Sequence, residues 1–199
     1  RSRAQATACL SNTKQYALAI QAYTQDYDGN YLPSSNGIST VVSSHEGSSV
    51  VASEKGSSTW LELIHPYMKE KYLSCPTRDI ISSVHDIAST TGYALNSDLN
   101  NDEVVGENKK RSIGKNEAEV LLQSRIVSVF DCGVPIASMN NTDVDTKLVG
   151  HDGRRVTPGA IRHNRGGNYA FADGHAKWFR PTAFVQRCSA DDNKPCFTP

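Results

Sequence analysis

Residues 2–27 carry an apolar stripe that constrains everything after it. Cys9, Thr13, Tyr16, Ile20, Tyr23 and Tyr27 recur at helical spacing, so they share one face of an α-helix. Ala4, Ala6, Ala8, Ala17, Ala19 and Ala22 add helix propensity. Lys14, Gln21 and Gln25 fall on another face, and Leu18 stands opposite the stripe, which gives the helix a second, partner-facing side. Gly29 after Asp28 suits a left-handed C-terminal cap, and Pro33 forbids resumption of the helix. A helix with a tyrosine stripe needs a sheet to lie on, so the rest of the chain has to supply one.

The clearest strand signal comes late. Asp173-Gly174 separates Asn168-Tyr169-Ala170-Phe171-Ala172 from His175-Ala176-Lys177-Trp178-Phe179, a strong hairpin pattern. Tyr169 and Phe171 share a face by the period of two, and Gly166-Gly167 lets the chain turn into the sheet. The β-branched run 125–130 and the short segment 92–96 complete a predicted sheet of three to four antiparallel strands. Thr59 is placed to cap a short helix over the Trp60–Met68 segment, and Asn116 to cap a helical turn within 115–122. Residues 34–58 hold ten serines; Val41, Val42, Val50 and Val51 suit a weak hairpin, and the remainder reads as a loop insertion. Residues 98–116 and 133–162 also read as loops. The expected fold class is α+β, as one domain over 1–199: the helix, the insertion, a sheet region over 92–180 and a tail over 181–199.

Lys+Arg and Asp+Glu are equal at 21 each, which argues against nucleic acid as a partner. The five cysteines show no Cys-x-x-Cys pair and no cysteine–histidine cluster at zinc spacing. Cys188 and Cys196 bracket a polar tail with too little apolar content to order itself, and a disulfide there implies an oxidising compartment. Cys9 and Cys75 are a second candidate pair, leaving Cys132 as a buried thiol. No signal peptide or membrane span is visible, and the opening Arg1-Ser2-Arg3-Ala4 is already helical in character, as if cut within a longer helix.

Three blocks, in this order, carry a family resemblance: Cys9-Leu10-Ser11-Asn12-Thr13-Lys14-Gln15 running on to Tyr23-Thr24-Gln25-Asp26-Tyr27-Asp28-Gly29; Trp60-Leu61-Glu62-Leu63-Ile64-His65-Pro66-Tyr67 with Cys75-Pro76; and Arg162-His163-Asn164-Arg165-Gly166-Gly167-Asn168-Tyr169-Ala170-Phe171-Ala172-Asp173-Gly174-His175. The chain resembles the pilin-like family of type IV pilins and type II secretion pseudopilins, in the branch with a C-terminal His-x9-Asp-Gly signature. The resemblance covers both ends and the Trp60–Pro76 block. It implies a pilin-like fold, a leader cleaved by a prepilin peptidase, and a preceding apolar membrane helix of which 2–27 is the continuation. It also implies an inner-membrane-anchored precursor with an extracytoplasmic headgroup, assembled with other subunits into a pilus-like filament or a secretion pseudopilus.

The candidate functional residues are few. His163, Asp173 and Gly174 are expected to hold the final hairpin, because Asp tolerates a left-handed turn and bonds its own backbone. His151, His163 and His175 are candidate ligands of a surface metal site, against the plainer reading of loop histidines. Asp26-Tyr27-Asp28-Gly29-Asn30 is oxygen-rich but lacks the late glutamate of a calcium loop. Asp191-Asp192-Asn193 is similar to the C-terminal calcium loop of some pseudopilins without matching it residue by residue, so no cofactor is expected. Nothing resembles a Gly-x-Ser-x-Gly elbow or a phosphate loop, and the expectation is a structural protein, not an enzyme. The rival is an extracellular metal- or glycan-binding module using the long loops or an exposed Trp178.

Overall fold

The computed structural model describes residues 2–43, 49–53, 58–70, 72–77, 91–107, 109–132, 136–139, 148–150 and 162–199. The long helix α1 spans Ser2–Asp26. After it come β1 (Ile38–Ser43), β2 (Ser49–Ser53), the short helix α2 (Trp60–Ile64), β3 (Tyr93–Asn96), β4 (Asn100–Gly106), β5 (Lys109–Gly114) and β6 (Val127–Asp131). The chain continues through β7 (Ile136–Met139), β8 (Leu148–Gly150), β9 (Gly167–Phe171), β10 (Ala176–Phe179), β11 (Val185–Arg187) and β12 (Cys196–Thr198). Among the described residues, no helix is long and apolar enough to cross a membrane.

The stripe on α1 is buried from Cys9 through Thr13, Tyr16, Ile20 and Tyr23. Tyr27 departs from the expectation and is 51% exposed. Asp28 and Gly29 take positive φ of 52° and 77°, and Gly29 N–H donates to Thr24 O at 2.9 Å, so the helix closes before Tyr27 reaches the core. Its ring instead stacks on Tyr23, centroid to centroid 4.0 Å. Leu18, on the opposite side, is 48% exposed.

The main sheet has the order β10-β9-β6-β3-β7-β8. Its first four strands are the four predicted ones, and they pair antiparallel throughout. The fold is therefore α+β, an N-terminal helix on an antiparallel sheet of four strands, with two further strands at one edge. β7 joins parallel to β3 and β8 antiparallel to β7, which corrects the reading of 133–162 as wholly irregular. α1 lies against β9, β10 and β6.

Side-chain alternation assigns the two faces of the sheet. Tyr93, Leu95, Val129, Ala170 and Ala172 share a core with Tyr16, Ile20 and Trp60. Ala94, Phe130, Tyr169 and Phe171 share a second core with Phe184 and Phe197 from the tail. The small Ala170 and Ala172 admit the helix closely, while the aromatic face of β9 is covered by the tail. The tail is held by the expected bond between Cys188 and Cys196: β11 pairs parallel with β12, and Asn96 Nδ2 donates to Val127 O at 2.7 Å and Phe197 O at 2.8 Å. Arg125 gathers the closed loop, its Nη2 on Asp192 Oδ1 at 2.7 Å and its Nη1 on Ser189 O at 2.7 Å. A guanidinium thus holds the carboxylate that the sequence offers as a calcium ligand.

The segment 98–116 is a second correction. It forms a β4–β5 hairpin that pairs through β1 with β2, in the order β2-β1-β5-β4. Glu103 sits opposite Arg111, and Lys110 Nζ lies 3.3 Å from Asp102. Most of β4 is solvent-exposed, so no apolar alternation marks it in sequence. The hairpin of the serine-rich insertion does form, with Val41 opposite Val51 and Val42 opposite Val50. Both short caps hold: Thr59 N–H donates to the Glu62 carboxylate at 2.8 Å, and Asn116 Oδ1 accepts from Ala118 N–H at 3.1 Å.

Candidate functional site

The polar residues of greatest interest gather where β6 ends and β9 begins. A two-residue turn joins His163 to Gly166: His163 N–H donates to Gly166 O at 2.8 Å, and Gly166 N–H returns to His163 O at 3.1 Å. Asn164 and Arg165 fill the turn at φ 53° and 63°. Trp178 on β10 crosses back, its indole N–H donating to His163 O at 2.7 Å. Trp178 is half-buried and its polar edge is used internally, unlike the exposed Trp178 of the rival reading.

Gly166 is required by this packing. A Cβ there would lie 2.4 Å from the Trp178 ring and 2.5 Å from Phe179 O, and the backbone oxygen cannot yield. Gly166→Ala is expected to cost about 2–3 kcal/mol by overpacking and to lower the melting temperature by about 5–10 °C in a circular dichroism melt. An unchanged melting temperature would contradict this account of the turn.

The His163 imidazole is buried and sits between two groups distant in sequence. Its Nε2 lies 3.4 Å from Asp131 Oδ2 and 3.4 Å from Cys75 Sγ. Asp131 is fully buried at the end of β6 and also accepts from Asn168 N–H at 2.7 Å. Arg162 Nη1 stands 3.9 Å from Asp131 Oδ1. The Arg162 guanidinium is anchored by Nη1 to Gly92 O at 2.8 Å and by Nη2 to Cys132 O at 3.3 Å. Burial pushes the Asp131 carboxyl up to about 7, against the Asn168 N–H and the Arg162 charge, which favour its anion. Burial, helped by the Arg162 charge, pushes the His163 imidazole down to about 4. Burial thus favours the neutral form of both groups, a protonated carboxyl and an uncharged imidazole.

Cys75 is bonded to Cys9, so the cluster is tied directly to α1. The sulfurs of Cys9 and Cys75 and a His163 nitrogen lie within 4.8 Å of one another. Both sulfurs are spent in the disulfide, and zinc needs thiolates, so in this oxidised state the trio lacks the ligands of a metal centre. Cys132 is buried and belongs to neither disulfide.

The other signature residues sit at the far end of β9. Gly174 takes φ +84°, and its N–H donates to Phe171 O at 2.8 Å. Asp173 is not left-handed, contrary to expectation. Its Oδ1 accepts from His175 N–H at 3.1 Å and lies 2.6 Å from His175 Nδ1, so it braces the turn while glycine takes the strained position. The missing Cβ of Gly174 also lets Gln21 of α1 approach, and Gln21 Nε2 reaches Ala172 O at 3.3 Å. His163 and His175 thus occupy opposite ends of β9 and do not converge on a metal; His151 lies outside the described residues. The oxygen-rich 26–30 segment is the helix-ending turn, with Asp26 accepting from the Tyr67 hydroxyl at 2.7 Å.

The sequence reading did not find Asp131, Arg162 or Asn168 as site residues. The available signal was Asp131 itself, a carboxylate ending an apolar strand run. Comparison with known protein families, curated proteins and solved structures finds no match to this chain.

Proposed function

We propose that the chain is the headgroup of a pilin-like subunit, a pilin or pseudopilin that assembles into an envelope filament. The observation that carries the reading is the two-sided helix. One side of α1 is fixed to its own sheet by the Tyr16–Trp60–Tyr93 packing and by the Cys9–Cys75 bond. The other side carries the exposed Leu18. A helix held this way transmits headgroup position to whatever its free side packs against. Two disulfides suit an extracytoplasmic headgroup, and the resemblance at Cys9–Gly29 and His163–Gly174 supplies the family. The role is structural; the His163 cluster and the Asp173–Gly174 turn anchor β9 to its neighbours and to α1.

The test uses the full-length chain in its native cells. Leu18→Cys is expected to give oxidative multimer ladders, and antibody to the headgroup to label filaments in electron micrographs. Leu18→Glu, which removes an apolar contact and adds a charge, should lower filament number by about tenfold. Wild-type cells that contain only monomeric protein and no labelled filament would sink the reading.

A further inference from the structure

One wall of the His163 cluster faces a cleft. It occupies ≈ 730 Å³ between the first turns of α1 and the segment from Arg162 to Asn168, with Thr77 and Trp178 at its sides. Among the described residues, Arg3 and Arg162 line it and no carboxylate does. Arg3 is exposed on α1, and its guanidinium has no ion-pair partner among the described residues. Leu10 and Trp178 supply an apolar surface.

Polar groups buried behind the cleft wall are incompletely used. Arg162 Nε is buried without a hydrogen-bond partner, although the side chain is only 4% exposed. The Asn168 amide nitrogen lies against Asp131 without reaching hydrogen-bond geometry. An unpaired buried donor costs about 1–3 kcal/mol. The partly protonated Asp131 also leaves the Arg162 charge incompletely offset. A bridging water would satisfy a buried donor, but it gives no reason for a cleft whose charged lining, among the described residues, is all cationic. The turn beside it points the same way. Two-residue turns of this kind favour glycine at the second position, yet Arg165 stands there at φ 63°, at a backbone cost of about 1 kcal/mol. Strain of this sort gathers at binding sites, and here it places a second guanidinium on the segment that carries Arg162.

We propose that this cleft is a binding site for an organic carboxylate with an apolar body, the carboxylate held by Arg3 and the Arg162–Asn168 segment and the body against Leu10 and Trp178. The carboxylate belongs either to a free acid or to a side chain of a second copy of the chain. The inference does not depend on the filament reading, since a headgroup of any function would carry the cleft.

The test is a heteronuclear NMR titration of the ¹⁵N-labelled protein with octanoate, octanamide and inorganic phosphate in turn. Octanoate is expected to give saturable shifts at the Trp178 indole and the Arg162–Asn168 amides. Arg3→Glu, on the exposed side of α1, should weaken octanoate by about fivefold or more while leaving the melting temperature in place. Shifts at these same amides that grow with protein concentration, and are lost on adding octanoate, would identify a second copy as the source of the carboxylate. Equal binding of octanamide would overturn carboxylate recognition. Equal binding of phosphate would overturn the role of the apolar body. No saturable shift at these residues with any probe, or an Arg3→Glu protein that binds octanoate as tightly as wild type, would overturn the site.

Discussion

The double variant Cys9→Ala/Cys75→Ala is expected to lose about 4 kcal/mol of stability, read as a lower urea midpoint at fixed slope. The bond spans 66 residues, so it removes far more freedom from the unfolded chain than the Cys188–Cys196 bond, which spans 8. Cys188→Ala/Cys196→Ala should lose about 2–3 kcal/mol by the same chain-entropy reasoning. The two variants should also differ in where they loosen. Without Cys9–Cys75, the first turns of α1 keep Asn12 Nδ2 on Ser74 O at 3.1 Å and the Tyr16 hydroxyl on Leu73 O at 2.7 Å, but no covalent tie holds them to the His163 cluster. Hydrogen exchange should quicken first in α1 before Tyr16. In the tail variant it should quicken in β12 and the 188–196 loop. Equal losses in the two variants, or faster exchange confined to the tail in both, would refute the assignment of Cys9–Cys75 as the bond that holds the helix.

The parts of the fold legible in sequence were those encoded by local periodicity or turn chemistry. The α1 stripe follows the helical repeat, and the β9–β10 hairpin is marked by Asp173-Gly174 between apolar runs. The β4–β5 hairpin was not legible. It presents polar side chains to solvent, and what holds it is cross-strand charge pairing and the neighbouring β1, neither of which leaves a periodic apolar trace. The parallel docking of β7 on β3 is hidden for a similar reason, since β4, β5 and β6 lie between them in sequence and their pairing is a property of topology.

The site divides in the same way. His163, Asp173 and Gly174 stand out because the surrounding glycines and aromatics announce a turn and a strand. What His163 touches does not stand out, because Cys75 is 88 residues away and Asp131 lies on another strand. The histidine alone looked like a turn residue or a metal ligand. Only folding shows that it lies against a buried carboxyl group next to a disulfide, and that Arg162 beside it caps the ends of two strands through Gly92 O and Cys132 O.

The opposed shifts of Asp131 and His163 make a prediction about pH with opposite signs in two variants. In the unfolded chain Asp131 releases its proton near 3.8 and His163 holds one up to about 6.5. In the folded protein the carboxyl is raised to about 7 and the imidazole lowered to about 4. Between pH 4 and 6.5, folding therefore gains a proton at Asp131 and loses one at His163. A raised carboxyl favours folding at low pH, and that contribution is lost as pH rises through 7. A lowered imidazole favours folding at high pH, and that contribution is lost as pH falls toward 4. The two slopes oppose, so the pair leaves wild-type stability nearly flat across the window. His163→Gln removes one side, and stability should then rise as pH falls from 7 to 4. Asp131→Asn removes the other, and stability should fall over the same range. Each slope approaches about 1.4 kcal/mol per pH unit at its steepest. At pH 7 Asp131→Ala should cost more than Asp131→Asn, about 3–5 kcal/mol, because it leaves the Arg162 charge and the Asn168 N–H buried with no polar side chain beside them. Urea unfolding at half-unit steps from pH 4 to 7.5 measures all four proteins. Slopes of the same sign in His163→Gln and Asp131→Asn would show that folding does not raise the Asp131 carboxyl and lower the His163 imidazole as described.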